Sequence, residues 1–478
     1  MSIIIALFFL IPFVASSQEW SEPSTIFSGS INRDADAVVD SNGHLHVVWA
    51  HMVSDNYWKI LYSKSVDKGQ TWTEPFDVVR NTSLWMSSPR IALGKNNMLY
   101  VTYDYNTANS ANMFVHMKTF NGTSWSPSKV VSEGKPASYY SRLAVDTSGI
   151  LYVFWYNSIT DVGTFLYRTF HNDEFGNIVK PYGGSIRHFL QVAKFDKNNR
   201  LHCQGLIKFS NLYYSKLAYF SMNNGVWSDY TIISDSARTH SDMDIDSLNN
   251  PHMVWWKVTS SAAPPANGTF YSYFNNMVWS TPECLAEDSE WQILNIDKND
   301  KIHLIDIEEK DNGFSQVHYT KSNGQWTGDT IFENPTRFGN NILISDDSLM
   351  YLFYGVSNTG INNNSLLVKS YPVSSISSIS QNSQENNLSI ELYPNPSFDK
   401  VTIKYVTNML GNRILSIYNL NGNIAYNTFL EDDYNGLSEF IWNGCTMKGE
   451  RLPSGIYLVQ IVVGTSVTTR SVILMSNY

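Results

Sequence analysis

A motif of about fifty residues recurs along the chain and constrains the fold more than any other feature. Each copy has two short runs of alternating apolar residues around a polar turn, as in "VVDSNGHLHVVW" (38–49), which is typical of a β-hairpin. The second run carries a histidine or tyrosine at the same place in every copy. These residues are His46, Tyr100, Tyr152, His202, His252, His303 and Tyr351. The sequence therefore contains seven copies of one structural unit.

A tryptophan that follows a polar turn is the second landmark. It closes five of the copies, at Trp72, Trp125, Trp227, Trp279 and Trp326. The seventh copy lacks this ending, whereas an isolated one, "EWSEPSTIF" at Trp20, precedes the first copy. We therefore expect the N-terminal strand to complete the last sheet, which leaves a closed ring without a free edge. The predicted fold class is all-β: a seven-bladed β-propeller of four-stranded blades over residues 19–373.

Composition agrees with this fold and excludes some partners. Aromatic residues make up 14% of the chain and charged residues 16%, a balance typical of all-β proteins. The net charge of −10 argues against a nucleic-acid partner. The cysteines, Cys203, Cys284 and Cys445, have the spacing of neither a disulfide framework nor a zinc ribbon.

The first 17 residues form a short apolar run followed by small residues. This pattern predicts a cleaved signal peptide over residues 1–17. A membrane span needs about 20 apolar residues, and this run is shorter and contains Pro12. We therefore expect an exported protein with no membrane span.

The stretch "YSKSVDKGQTW" carries Ser65, Asp67, Gly69, Thr71 and Trp72. Their spacing resembles the Asp box of sialidases and other β-propellers. In such a turn the aspartate accepts hydrogen bonds from turn amides, the glycine permits a positive φ and the tryptophan packs between blades. We expect the box to fix the third turn of the first blade, on the face away from the ligand. It supports the fold and does not indicate the substrate.

The C-terminal part differs from the repeats. Residues 374–387 are polar and predict a linker, and residues 388–478 have the alternating strands and Pro- and Gly-marked turns of a small β-sandwich. The segments Tyr393–Pro396 and Leu452–Tyr457 resemble the C-terminal sorting domain of the type IX secretion system of Bacteroidetes. The resemblance implies export by that machinery, followed by release or attachment to the cell surface. A carbohydrate-binding or spacer domain is the alternative.

The ligand face of a propeller is formed by the starts of the innermost strands and the ends of the second strands. Arginine occurs at the start of six copies, at Arg33, Arg90, Arg142, Arg187, Arg238 and Arg337. In an acidic protein, arginines directed at one channel indicate an anionic ligand, since guanidinium binds a carboxylate or sulfate in a bidentate manner. The alternative is that these arginines pair with acidic residues of neighbouring blades.

Histidines divide into two groups. His46, His202, His252 and His303 occupy a position that also accepts tyrosine, so we expect them to pack between strands. His51, His188 and His240 break the repeat and are candidates for the ligand face. A metal set of His240, Asp242 and His252 matches no strong template. We predict no required cofactor, although the sequence allows a structural divalent metal ion.

Three functions remain open. A sialidase needs an arginine cluster, a Tyr–Glu nucleophile pair and an aspartate that acts as the acid. However, "INRDADAVV" is not the usual arginine motif, and only one Asp box is complete. A lectin would repeat its site from blade to blade, whereas these positions differ. A polysaccharide lyase needs a cation at the uronate carboxylate, a base and an acid, and the chain groups such residues around positions 139–142 and 187–188.

The length, the seven copies and their degeneracy resemble secreted propeller lyases acting on ulvan, such as polysaccharide lyase family 25. The resemblance implies a histidine and a tyrosine as base and acid beside an arginine. We therefore predict a monomeric lyase of a uronate-containing anionic polysaccharide. Its base is His188 or His240, its acid is Tyr140, and Arg142 and Arg187 hold the carboxylate. The predicted substrate-binding residues are His51, Arg90, Tyr105, Asn157, Lys208 and Lys257.

Overall fold

The protein is seen in a computed structural model, in which two compact units span Met1–Ser375 and Ile376–Tyr478. The predicted signal peptide (1–17) and linker (374–387) lie outside the described residues. The structure describes residues 20–475 apart from 31, 55–56, 80–85, 107–112, 161–162, 185, 210–214, 239–240, 259–266, 276–277, 288, 311–312, 323, 334–340, 345–348, 358–362, 373–387, 408–412, 420–423, 431–436, 448 and 464–465.

The first unit is built from antiparallel sheets whose strands follow one another along the chain, after the leading strand β1 (Ser24–Ser30). The first sheet contains β2 (Asn32–Val39), β3 (Leu45–Ser54), β4 (Tyr57–Ser65) and β5 (Phe76–Val79). The second contains β6 (Met86–Leu93), β7 (Leu99–Asn106), β8 (Met113–Phe120) and β9 (Lys129–Val130). The third contains β10 (Ser138–Val145), β11 (Leu151–Asn157), β12 (Thr164–His171) and β13 (Glu174–Phe175).

The next two sheets have an outer strand in two pieces. The fourth sheet contains β14 (Arg187–Phe195), β15 (Leu201–Lys208), β16 (Ser215–Asn223), β17 (Val226–Trp227) and β18 (Thr231–Ala237). The fifth contains β19 (Ser241–Ile245), β20 (Pro251–Lys257), β21 (Gly268–Asn275), β22 (Val278–Trp279) and β23 (Glu283–Glu287). The sixth contains β24 (Ser289–Ile296), β25 (Ile302–Lys310), β26 (Gly313–Ser322) and β27 (Gln325–Glu333).

The seventh sheet joins the two ends of the first unit. It contains β28 (Asn341–Ile344), β29 (Leu349–Ser357) and β30 (Asn363–Pro372), and β1 is its outermost strand. Ser24 lies opposite Val368, and the Ser21 amide donates to the Ser370 carbonyl at 2.8 Å. The indole of Trp20 packs 5.2 Å from the Tyr371 ring. The predicted closure by the N-terminal strand is confirmed.

The innermost strands form a ring. β2 packs on β6, β6 on β10, β10 on β14, β14 on β19, β19 on β24, β24 on β28, and β28 on β2. The strands that follow them are covered on both faces by neighbouring sheets, so they are apolar on both faces; all of β15 except its last residue is buried. Trp49, Trp155 and Trp255 occupy equivalent positions in these strands and are fully buried. The all-β propeller prediction is confirmed, with seven sheets among the described residues of this unit.

The turns between the first and second strands of four sheets share one hydrogen-bonded unit. In the first, the Asp40 carboxylate accepts the amides of Asn42 and His44 and lies 3.3 Å from Nε2 of His46, whose Nδ1 lies 2.7 Å from the Tyr62 hydroxyl. Equivalent units are Asp196–His202–Tyr219, Asp246–His252–Tyr271 and Asp297–His303–His318. The repeated histidines are therefore packing residues, as predicted. The same region of the second sheet contains one turn of 3-10 helix, Lys95–Asn97.

The Asp box fixes its turn as predicted. The Asp67 carboxylate accepts the Thr71 amide at 2.9 Å and the Ser65 hydroxyl at 2.8 Å. The Thr71 hydroxyl also donates to this carboxylate. These hydrogen bonds, above all the one from the Thr71 hydroxyl, lower the pKa of Asp67 to about 2. Trp72 donates to the Gly69 carbonyl and packs edge-on against Phe353 of β29, at 6.1 Å. The box thus joins the first sheet to the seventh.

The second unit is a β-sandwich. One sheet has the order β31–β32–β35 and the other β34–β33–β36–β37. Its strands are β31 (Leu388–Tyr393), β32 (Val401–Thr407), β33 (Arg413–Asn419), β34 (Ile424–Leu430), β35 (Leu437–Trp442), β36 (Gly455–Val463) and β37 (Ser466–Leu474). The inner faces of the two sheets meet around Trp442, Ile403 and Ile461, which are buried. The predicted sandwich is confirmed.

Two further findings concern the whole chain. The three cysteines are free thiols, Cys203 being buried and Cys284 exposed. No helix within the described ranges has the length and apolar character that crossing a membrane requires.

Candidate functional site

The first residues of the innermost strands define one face of the propeller, which we term the strand-start face. Four of these strands carry a β-bulge there, and the residue that begins the bulge has a positive φ: Asp34 (55°), Ser88 (50°), Tyr140 (57°) and Trp291 (70°). A positive φ costs a non-glycine residue of order 1–3 kcal/mol, and such positions cluster at functional sites. The distortion recurs at one position of the repeat, so this face is the candidate for function.

Aromatic side chains join the third and fourth sheets on this face. The Tyr140 ring lies 4.9 Å from the Tyr139 ring and 5.8 Å from Phe189 of β14. Tyr156, at the end of β11, lies 5.5 Å from Tyr139 and 5.1 Å from Phe189. Tyr140 is 46% exposed despite these contacts, so a ligand can reach it.

Two cations lie beside this aromatic cluster. Arg187 begins β14 and is directly opposite Lys208, the last residue of β15. Arg187 is exposed and Lys208 is half-buried, and neither side chain makes a hydrogen bond or ion pair with another described residue. Burial and the neighbouring Tyr139 raise the pKa of Tyr156, and Arg187 opposes this rise. The Tyr156 phenol therefore stays protonated at neutral pH and can donate a hydrogen bond.

The fifth sheet adds two more cations, each over an aromatic ring. The Arg238 guanidinium lies 5.0 Å from the Trp256 ring, and the Lys257 ammonium lies 4.8 Å from Phe270. The Arg238 amide also donates to the Trp256 carbonyl at 3.0 Å. Cation–π contacts hold these side chains without neutralising their charge.

Arg90 and Arg142 are placed differently from Arg187. The Arg142 Nε donates to the Gln191 carbonyl of β14 at 2.5 Å, and its Nη1 to the Ser141 carbonyl. The Arg90 Nη1 donates to the Pro89 carbonyl at 2.7 Å. Burial, and then the positive charge of Arg90, lowers the pKa of Arg142 to about 9. These two arginines thus bind backbone carbonyls of their own sheet and, for Arg142, of the next one. The roles of Arg142 at the uronate carboxylate and of Arg90 in substrate binding stay predictions.

Buried carboxyl groups surround these arginines. Burial raises the pKa of Asp36, which the charges of Arg90 and Arg142 oppose; the Asp36 carboxylate accepts the Ile91 amide of the next sheet at 2.9 Å. Burial also raises the pKa of Asp104 to about 7, although this carboxyl accepts the Tyr140 amide at 3.1 Å. Asp104 therefore supports the strained backbone of Tyr140 from the neighbouring sheet.

A partly buried charge pair lies between the fourth and fifth sheets. The Lys194 ammonium is 2.9 Å from the Asp244 carboxylate. Nearby, burial raises the pKa of Asp242 to about 6, against the charge of Lys194 and the amides of Leu294 and Met243. These residues bind one another across sheets.

The predicted histidines do not come together. His188 is 3% exposed and stacks under the Tyr182 ring at 5.2 Å. Its ring nitrogens make no hydrogen bond of standard geometry within the described chain; burial lowers its pKa and the Ile186 backbone only partly offsets this. The prediction that His188 is a base on the ligand face is therefore corrected: it belongs to the packing between sheets. His240 lies outside the described residues.

The remaining predicted binding residues also differ in their surroundings. Asn157 is fully buried, and its side chain binds the Pro136 carbonyl, the Ser138 hydroxyl and the Thr160 amide. It stabilises its own loop, which corrects its assignment to the substrate. His51 contacts Asn32 at 2.8 Å, and the half-buried Tyr105 lies 4.8 Å from the His116 ring. Of the predicted set, Arg187 and Lys208 lie opposite each other, and Tyr140 contacts Phe189 of the strand that Arg187 begins.

The structure adds residues that the sequence pattern did not single out. Tyr156 and Phe189 complete the aromatic seam, and Asp104 anchors the Tyr140 backbone. Asp104 is the only charged residue of its strand, and that interruption is the signal that could have identified it. No group of three or more histidine, cysteine or acidic residues in the described part of the chain could hold a metal ion. Asp242 binds backbone amides and His252 binds Asp246, so these two do not share a site.

Comparison with solved structures shows a shared fold. A polysaccharide lyase family 25 ulvan lyase aligns with a TM-score of 0.52 and 11% identity, over 74% of this chain and 96% of that one. The same family's structure bound to GlcA(1-4)Rha3S gives a TM-score of 0.51 at 11% identity, with the same coverage. The polysaccharide lyase Uly1 gives 0.53 at 7% identity, over 71% of this chain and 90% of that one. No curated protein matches the chain.

The tail matches a family in its own right. Residues 391–475 match the secretion system C-terminal sorting domain. The motifs noted at 393–396 and 452–457 lie inside this match, as predicted. The sorting domain indicates export through the type IX machinery, to the medium or the cell surface.

Proposed function

We propose that the propeller is a lyase that cleaves a uronate-containing anionic polysaccharide by β-elimination. Ulvan is the first candidate substrate. The observation that carries this proposal is the cation pair of Arg187 and Lys208, which lacks an anionic partner among the described residues. Arg187 also begins the strand whose Phe189 contacts the exposed Tyr140. The likeness to ulvan lyases supports the same conclusion through the fold. The sorting tail agrees with the proposed function, since a polysaccharide is first degraded outside the cell.

The chemistry assigns a role to each group. Arg187 and Lys208 would hold the uronate carboxylate, which accumulates negative charge when the neighbouring C5 proton is removed. The electron pair of the C5–H bond forms the C4=C5 double bond, and the C4–O bond to the leaving sugar breaks. The Tyr140 hydroxyl would give its proton to that leaving oxygen. Since His188 is buried, His240 is the predicted base that remains.

The test is incubation of the purified protein with ulvan, with other uronate polymers and with a sialoside. Ultraviolet absorbance from an unsaturated uronate product supports the lyase. Release of free sialic acid would show that the protein is a sialidase and not a lyase. Binding without any product would show that it is a lectin. Turnover should fall strongly in the Arg187→Ala variant. It should be unchanged in Lys197→Ala, which removes an exposed cation from the opposite turn of the same sheet.

A further inference from the structure

A cavity lies on the other face of the propeller, where the turns between first and second strands meet; we term this the turn face. Its volume is about 370 Å³, and it lies between the first and second sheets. Pockets for small ligands span roughly 300–1,000 Å³, so this one has room for a single sugar unit. The proposed lyase chemistry does not use it.

The base of the cavity is already hydrogen-bonded. The Asp40 carboxylate accepts two turn amides and contacts the rings of His44 and His46. Burial lowers the pKa of His46, with Asp40 opposing, and its Nδ1 contacts the Tyr62 hydroxyl. These groups give the cavity a rigid floor, and the Asp40 charge is fully occupied.

The rim of the cavity offers hydrogen-bond donors. The Asn97 Oδ1 accepts both the amide and the hydroxyl of Ser41, at 3.1 and 2.9 Å, which orients the side chain and leaves its amide nitrogen as a donor. The side chains of Asn42 and Lys64 also line the cavity. The Asn97 nitrogen, the Asn42 side chain and the Lys64 ammonium make no hydrogen bond or ion pair within the described residues. Such donors suit a ligand rich in acceptors, and the ammonium favours an anionic one.

One wall of the cavity is aromatic and continues onto the surface. Phe120 lines the cavity 5.8 Å from Tyr62, and its ring lies 5.0 Å from Trp125. Trp125 stacks nearly parallel to Phe76, at 6.4 Å and 5°, and Phe76 is 51% exposed. Flat apolar rings beside convergent polar groups are the common composition of a ligand site. They suit the apolar face of a sugar ring, with its hydroxyls directed to the donors.

We infer that this cavity is a second glycan-binding site, which holds one acidic sugar unit of a polysaccharide chain away from the reacting face. The inference rests on the proposed function only for the class of polymer. The site would keep the protein on its substrate by a second contact with the same chain. Nothing is cleaved there.

The test is affinity electrophoresis in native gels that contain ulvan, with dextran as the neutral polymer. All variants are made in the Arg187→Ala background, so that cleavage of the polymer in the gel is slowed to the same extent in every lane. Lys64→Gln and Asn42→Asp should raise the dissociation constant for ulvan by roughly three- to tenfold, the scale of one lost charge-assisted contact at an exposed site. Migration in dextran should not change.

Lys298→Gln is the control, because it removes one exposed lysine from the turn between the first and second strands of the sixth sheet, on the same face. Retardation of Lys64→Gln and Asn42→Asp equal to that of the background would overturn the inference, and so would an equal loss in Lys298→Gln. Turnover of ulvan by the wild-type protein is measured separately. If the protein binds ulvan through Lys64 but does not cleave it, the proposed lyase activity is wrong and the inferred second binding site stands.

Discussion

Arg187 faces Lys208 directly across strands β14 and β15, and the two cations have no anionic partner in the described part of the chain. Like charges in this relationship destabilise a sheet. The pair therefore costs the folded protein stability, and that cost is explained if a bound anion neutralises it.

Replacement of Arg187 by alanine should separate function from stability. We expect kcat/KM on ulvan to fall by about 10- to 100-fold, because a hydrogen bond to a charged group contributes roughly 1.5–3 kcal/mol. The free energy of unfolding should stay the same or rise by a few tenths of a kcal/mol, since a repulsion is removed. Product absorbance and urea titration measure the two quantities. Unchanged turnover would remove Arg187 from the site.

Sulfate should bind the same cation pair. At a sulfate concentration tenfold above its Kd, the wild-type protein should gain about 1.4 kcal/mol over sodium chloride of equal ionic strength. Sulfate also stabilises proteins in general, so the informative quantity is the difference between wild type and Lys208→Met in thermal unfolding. Lys197→Ala should behave as wild type. An equal gain in all three proteins would show that no specific anion site exists.

The buried Asp104 should make stability depend on pH. Its pKa is about 7 in the folded protein, raised by burial from 3.8 in the unfolded chain. The folded state therefore binds the proton more tightly, and stability that is full below pH 4 is lost as pH rises toward 7. The Asp104→Asn variant should be more stable than wild type at pH 8, by a few kcal/mol at most. Urea titrations between pH 5 and 8 measure this, and exposed Asp229→Asn should leave the slope unchanged.

Asp246 should have the opposite dependence. Burial opposes its ionisation, but hydrogen bonds from His252 and from the Asn250 side chain and backbone outweigh this and lower its pKa to about 2. Its contribution is thus present above pH 4 and is lost as pH falls toward 2. Asp246→Ala should cost about 1–3 kcal/mol at pH 7, and the difference from wild type should shrink with acid. A difference that stayed constant down to pH 2 would contradict this origin.

Trp72 should stabilise the closure of the ring. Its indole contacts Phe353, so Trp72→Ala should cost roughly 1–3 kcal/mol for a half-buried side chain. We expect amide hydrogen exchange to accelerate first in β1 and β30. Turnover on ulvan at low temperature should be retained, because the Asp box lies on the turn face. Uniform acceleration in all sheets would instead indicate a global loss of stability.

The sequence predicted the repeat, the closure and the Asp box because each depends on local spacing and on residue types with one conformational role. Side-chain direction at the strand starts was harder to predict. β14 has a bulge between Leu190 and Val192, and a single inserted residue reverses which side chains face the interior. A periodic pattern does not locate such a bulge, so it places His188 on the ligand face although the side chain is buried.

The sequence also does not predict which polar side chains bind their own loops. Asn157 ends its strand at a position where a polar residue could meet a ligand, but its amide binds the loop at 136–138 and the Thr160 amide. Arg142 and Arg187 both lie near the start of an innermost strand, yet Arg142 binds the Gln191 carbonyl and Arg187 is exposed. Partners that are about fifty residues away in the next sheet decide this difference.

The pairing of Ser24 with Val368 also sets an order of events for biogenesis. The first strand to emerge has no neighbour until some 340 residues more have followed it, because loop closure of that length must precede the last ladder. Until then both β1 and β30 present unsatisfied backbone groups that can pair with other chains. The ladder that closes the seventh sheet can therefore form only after β30 has been synthesised.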